Sequence, residues 1–201
     1  NLYATACLIF LTSAGRAGWV HPKDVEIVRT PYALTLRPRI GIELRVGNHV
    51  VVHGSRIMLR ANGNKTSHYI ASASKTAIIR VEDEGEAGTI TIVDGGDSGQ
   101  LRYECRLSLS NDGLFTYRFR GTCHDFSNAV LQQDLMLHPS TFAGADFAAD
   151  GSGGSRTGQI PPEPLPFDRR TILAGQFERC VFRTRLGMIE AHGPCQINDF
   201  R

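Results

Sequence analysis

Apolar and polar residues alternate with a period of two along most of the chain, and from Trp19 onward no sustained helical period replaces them. The clearest stretch sets Leu101, Tyr103, Cys105, Leu107 and Leu109 on one face of a strand and Arg102, Glu104, Arg106 and Ser108 on the other. Asn111-Asp112-Gly113 follows, with residues that tolerate positive φ and so mark a hairpin turn. The return strand carries Phe115, Tyr117 and Phe119 on its apolar face and Thr116, Arg118 and Arg120 on its wet face. Similar runs occupy residues 32–37, 40–46, 49–53, 56–60, 76–81, 89–93, 129–138 and 177–184. Between them stand Pro38, Gly47-Asn48, Gly54-Ser55, Asn62-Gly63-Asn64, Glu84-Gly85-Glu86 and Gly95-Gly96-Asp97, all turn chemistry. Short strands joined by Gly- and Asn-rich turns predict an all-β, antiparallel β-sandwich with one buried and one wet face per strand.

Two segments break this rhythm. At the front, Ala4, Ala6, Cys7, Leu8, Ile9, Phe10 and Leu11 form a compact apolar run, followed by Thr12, Ser13, Ala14, Gly15, Arg16, Ala17 and Gly18. This has the form of the core and small-residue cleavage region of a secretory signal peptide, so residues 1–18 are read as a partial signal peptide ahead of a sandwich over 19–201. A buried helix or first strand is the other reading of the run. The second break, at about 150–167, joins a flexible Gly151-Ser152-Gly153-Gly154-Ser155 to a stiff, extended Ile160-Pro161-Pro162-Glu163-Pro164-Leu165-Pro166-Phe167. Too little chain follows it for a second core, so it is expected to be a long loop across the sandwich.

Composition narrows the function. The chain has 22 Lys and Arg against 20 Asp and Glu, and 41% of its residues are apolar. That balance disfavours a protein that binds nucleic acid by neutralising phosphates, and the apolar fraction is too high for a disordered chain. No apolar run is long enough for a membrane-spanning helix. Lys23, Lys65 and Lys75 are the only lysines, so nearly all the basic charge is arginine. A genome rich in G and C produces that bias; so does a groove in which planar guanidinium forks bind carboxylates or sugar hydroxyls.

Export implies an oxidising compartment, where Cys105, Cys123, Cys180 and Cys195 permit two disulfides in any of three connectivities. Reduced cysteines acting as small apolar residues are the alternative. No Cys-x-x-Cys spacing suggests a zinc site, and no metal or cofactor is expected. His49 and His53 flank three valines in a strand and would stand about 13 Å apart, too far to share one ion. Gly96-Asp97-Ser98-Gly99 resembles the nucleophile segment of chymotrypsin-like proteases, but too few residues precede it to hold the partner His and Asp, and Gln100 replaces the expected Gly. Glu82, Asp83, Glu84 and Glu86 around Gly85 read as a solvated hairpin tip.

From Asp112 onward the order of features is more specific. A turn and strand, Asp112-Gly113-Leu114-Phe115-Thr116-Tyr117-Arg118, precede a strand ending Leu135-Met136-Leu137-His138-Pro139. Then come Phe142-Ala143-Gly144, the Gly-rich and Pro-rich stretches, and a last strand ending Ile197-Asn198-Asp199-Phe200-Arg201. About half the chain in this way resembles the galactose-mutarotase-like β-sandwich, or supersandwich, of secreted carbohydrate-processing enzymes. The resemblance implies a sandwich that is incomplete at the C-terminus, the N-terminal accessory part of a secreted or periplasmic glycoside hydrolase whose catalytic domain lies beyond Arg201. Its partner would be a polysaccharide or oligosaccharide. His138-Pro139 is similar to the His-Pro of aldose epimerases, which makes His138 the candidate general acid of an alternative, self-sufficient epimerase-like or lyase-like enzyme. Ser140 and Thr141 stand where that family has an aromatic residue and Asn. An envelope interaction module without a sugar ligand is a third reading. Sugar hydroxyls and ring faces need polar and aromatic partners, and the candidates are His124, Asp125, Arg118, Tyr69 and Trp19.

Overall fold

The computed structural model describes residues 7–12, 24–37, 41–61, 66–70, 78–83, 85–94, 101–123 and 130–200. The fold is all-β, an antiparallel sandwich with almost no helix. In chain order the strands are β1 (Cys7–Thr12), β2 (Val25–Arg29), β3 (Tyr32–Arg37), β4 (Gly41–Val46), β5 (His49–Ala61), β6 (Thr66–Ile70), β7 (Ile78–Glu82) and β8 (Ala87–Asp94). The order continues with β9 (Leu101–Ser110), β10 (Phe115–Cys123), β11 (Val130–Leu137), the short helix α1 (Pro139–Phe142), β12 (Asp146–Gly151), β13 (Gly154–Gln159), β14 (Thr171–Thr184) and β15 (Gly187–Phe200). An 11-stranded sheet runs β13-β12-β14-β15-β1-β11-β5-β4-β3-β2, with β6 also on β5; a 4-stranded sheet runs β10-β9-β8-β7.

The hairpin read from alternation forms in register, with Phe115 opposite Leu109 and Phe119 opposite Cys105. Tyr103, Cys105, Leu107 and Leu109 are buried, and with Ile90 and Ile92 of β8 they cover Ile27, Leu34, Leu36 and Ile42 of the large sheet. At the turn, Gly113 N donates to Ser110 O at 3.0 Å, and Leu114 N donates to the Asp112 carboxylate at 3.3 Å. Ser110 Oγ also donates to that carboxylate, and these bonds hold the exposed Asp112 below its ordinary pKa. Gly113 sits at φ 86° beneath the Tyr32 ring, where a Cβ would lie 2.5 Å from the ring's Cζ.

A second core lies on the same face of the large sheet. Val52, Leu137, Ile197, Leu173, Phe177 and Phe182 join Phe147 and Ala149 of β12 and Phe142 of α1. Phe142 and Phe182 meet edge to face, centroids 5.2 Å apart. Leu44 and Leu135 border both cores, so one apolar surface runs along the sheet.

Two expectations change. The runs at 49–53 and 56–60 are one strand, β5, because Gly54 and Ser55 are buried in the sheet and form no turn. Pairing steps from Leu135–Ser55 to Leu137–Val52, which leaves an extra β5 residue as a bulge. Ser55 Oγ satisfies the Ile42 backbone N–H at 3.0 Å. The Gly-rich half of the supposed loop at 150–167 is a hairpin: Gly151 pairs with Gly154, and β13 is an exposed edge strand whose short, polar and arginine residues resist further pairing. The Pro-rich half forms no strand: it bends at Pro162 and Glu163 and ends in a 3-10 turn at Phe167–Arg169, and Leu165 N is held at 3.0 Å by the buried Asp199 carboxylate.

The front of the chain contributes a strand, the alternative reading of its apolar run. Over Cys7–Thr12 the run resembling a signal peptide is β1, parallel to β11 on one side and to β15 on the other. It is the only parallel strand among the described residues, and it alone links the β11 and β15 halves of the large sheet. A leader cut after Ala17 would carry it away. Deleting residues 1–18 is therefore expected to lower the thermal midpoint and raise dye binding to exposed apolar surface; an unchanged melting curve would show the run to be dispensable, as a leader is.

Gly113→Ala should destabilise the hairpin by about 1–2 kcal/mol from positive φ alone. The Tyr32 overlap should add to that, measured by denaturant unfolding.

Candidate functional site

His138 ends β11 and turns the chain into α1, where Pro139 occupies the first helical position without sacrificing an intrahelical bond. Its N–H donates to Val51 O at 2.9 Å and its carbonyl accepts from Thr141 N at 3.0 Å. The Thr141 hydroxyl reaches back to Val50 O at 2.7 Å. The half-buried imidazole places Nδ1 2.6 Å from Ser140 Oγ and packs edge to face on His53, centroids 5.3 Å apart. These bonds orient the ring, but no carboxylate forms an ion pair with it among the described residues. The geometry is a strand-to-helix joint in which Ser140 takes the place next to the imidazole.

Arg118 lies on β10, on the outward face of the 4-stranded sheet. Cross-strand register sets it opposite Arg106 of β9, which stands beside Thr91 of β8, which stands beside Arg80 of β7. The next outward pair along β9 and β10 is Glu104 and Arg120. Arg80, Arg106, Arg118 and Arg120 are all exposed, and none makes an ion pair among the described residues. On the other flank of Arg106, Ser108 Oγ and Thr116 Oγ1 are hydrogen-bonded at 2.5 Å.

The other sequence candidates are not gathered around Arg118. Tyr69 is on β6 of the large sheet, opposite Met58, and His138 is also on the large sheet. Trp19, His124 and Asp125 lie outside the described residues.

Alternation alone did not reveal a polar cluster on the far strands of the large sheet. Glu190 of β15 takes Arg179 Nε at 2.5 Å and His192 Nε2 at 2.8 Å on the same Oε1. The Arg179 hydrogen bond holds the Glu190 carboxyl below the usual carboxylate range and raises the guanidinium in turn. Asp150 of β12 faces Arg179 in register. A His held by a carboxylate is an oriented base, but here the carboxylate also pairs with Arg179 and His192 is 69% exposed. On an open surface this is a ladder of ion pairs. Its only sequence signal was the charged side of two alternating strands, and their bulged register could not be read from it.

The cysteines divide. Cys105 is a fully buried free thiol in the first core, which removes it from the disulfides that the sequence permitted. Burial pushes its pKa up to about 12, opposed by a hydrogen bond with Tyr117. Cys180 is buried in the second core. Cys123 pairs with Leu101 at the end of β10, and Cys195 stands in register between Cys7 and Phe177. Among the described residues no group of three or more His, Cys, Asp or Glu side chains could hold a metal ion, and no helix is long and apolar enough to cross a membrane.

Comparison with protein-family models, curated proteins and solved structures finds no match to this chain.

Cys105 should resist iodoacetamide at pH 8 in the native state and react fully after denaturation without reductant, read by peptide mass spectrometry. A Cys105 peptide released only by reductant would show a disulfide instead.

Proposed function

We propose that this chain is a carbohydrate-associated β-sandwich of the galactose-mutarotase-like kind, the non-catalytic N-terminal portion of a glycan-degrading enzyme whose glycoside hydrolase domain follows Arg201. The observation that carries this reading is the outward face of the 4-stranded sheet. It presents Arg118, Arg106 and Arg80 with Thr91, Ser108 and Thr116 on a rigid, solvent-open surface. Guanidinium forks and hydroxyls in fixed cross-strand rows suit sugar hydroxyls, and an open sheet face suits a polymer better than a small molecule that must be enclosed. The epimerase alternative needs a base opposite His138, whose Nδ1 is instead occupied by Ser140. Export to the periplasm or outside the cell belongs to the same proposal: the apolar run at residues 7–11 and the small residues after it have the form of an export signal, one retained uncleaved as β1 in the folded protein.

A glycan array with the purified chain is expected to show binding with no turnover or epimerisation of the bound sugar. Arg118→Ala should weaken that binding about tenfold, the effect of one charge-assisted hydrogen bond. Sugar turnover abolished by His138→Ala would overturn the non-catalytic reading.

A further inference from the structure

The rows of the 4-stranded sheet carry a charge pattern that packing does not explain. Arg106 and Arg118 are directly opposed in the ladder, with backbones about 5 Å apart, a like-charge pairing that destabilises a sheet. Arg80 lies two strands beyond Arg106, about 10 Å away, and Arg120 is about 6.5 Å from Arg118 along β10. Against Arg80, Arg106, Arg118 and Arg120 the same face sets only Glu104 and Glu82 among the described side chains. On the large sheet, by comparison, Arg37 is paired with Glu43 and Arg179 with Glu190 on neighbouring strands, and Arg29 with Asp83, which follows β7.

From this we infer that the outward face of β7–β10 binds an acidic polysaccharide through the carboxylates of its uronic acid units. The inference rests on the carbohydrate reading above and names its substrate class. The carboxylate is planar and matches the guanidinium fork with two parallel hydrogen bonds, and a ligand anion between Arg106 and Arg118 relieves their repulsion. Thr91, Ser108 and Thr116, interleaved with the arginines, meet sugar hydroxyls, which a bare polyanion would not use. Glu104 and Glu82 temper the field, which suits a chain with one charge per sugar over a densely sulfated one. The aromatic side chains Tyr103, Phe115 and Tyr117 all belong to the inner face and its core, so the described outward face has no platform for stacking bases or neutral sugar rings.

Isothermal titration of the whole chain with polygalacturonate, alginate and hyaluronan, each beside its carboxyl-esterified form, tests this. At least one free acid is expected to bind, with esterification weakening it tenfold or more and added salt weakening it further. R106Q and R118Q should each reduce binding about tenfold with unchanged melting curves, while R183Q on the large sheet should leave it intact. Equal binding of acid and ester would overturn the acidic class and keep the carbohydrate reading. Binding insensitive to R106Q and R118Q would overturn the assignment to this face. Preference for dextran sulfate, which carries sulfate esters and no carboxylate, would overturn the carboxylate assignment. Preference for duplex DNA or phosphatidylglycerol vesicles, or no glycan binding at all, would overturn both readings.

Discussion

Every other feature of this protein follows from burying one apolar face of a very long sheet. Val25, Ile27, Leu34, Leu36, Ile42 and Leu44 continue across the strands into Val52, Leu137 and Ile197 on the same side. No flat partner could cover so long a surface. The 4-stranded sheet covers the β2–β4 end, while α1 and the inward residues of β12 and β14 close over the other. At roughly 25 cal/mol per Å² of apolar surface removed from water, this burial is the dominant favourable term.

The joints of that sheet are where polar groups go inside. Ser55 flanks the β5 bulge opposite β11 and accepts the Ile42 amide of β4 on its hydroxyl. Asp199, 1% exposed, holds Leu165 N with its carboxylate and donates its own N–H to Arg170 O at 2.7 Å, which pins the Pro-rich segment to β15. Asn198 takes Thr171 Oγ1 at 3.0 Å where β14 begins and its register slips. Ser55, Asn198 and Asp199 are thus buried polar residues with a structural task at the joints of the sheet.

On the surface, arginines are either paired or left without a carboxylate. The large sheet mixes the two cases: Arg37 meets Glu43 and Arg179 meets Glu190 across strands, while Arg45, Arg156 and Arg183 have no ion pair among the described residues. The small sheet holds Arg80, Arg106, Arg118 and Arg120 without an ion pair among the described residues, on a hydrogen-bonded frame that fixes their backbone spacing. Binding on such a face costs little conformational entropy in the backbone, and the rotamers of the arginines carry what cost there is.

The hairpin over residues 101–123 was legible because its information is local: strict alternation and Asn111-Asp112-Gly113 specify both the faces and the turn. Strand content, the all-β class and the buried side of β9 were legible for the same reason. Gly54-Ser55 and Gly151–Ser155 misled because glycine permits a turn, a bulge or a close approach equally well, and only neighbouring strands choose among them. The arginine row and the Arg179–Glu190–His192 cluster were also hidden, because residues far apart in sequence share a row only once register is set. By itself the sequence determined which residues turn inward along unbulged, alternating strands such as β9, since a period of two follows from backbone stereochemistry. Which strands become neighbours, and hence which charges meet on the outside, was decided by the tertiary structure, because that pairing is chosen by the joint burial of one continuous apolar face.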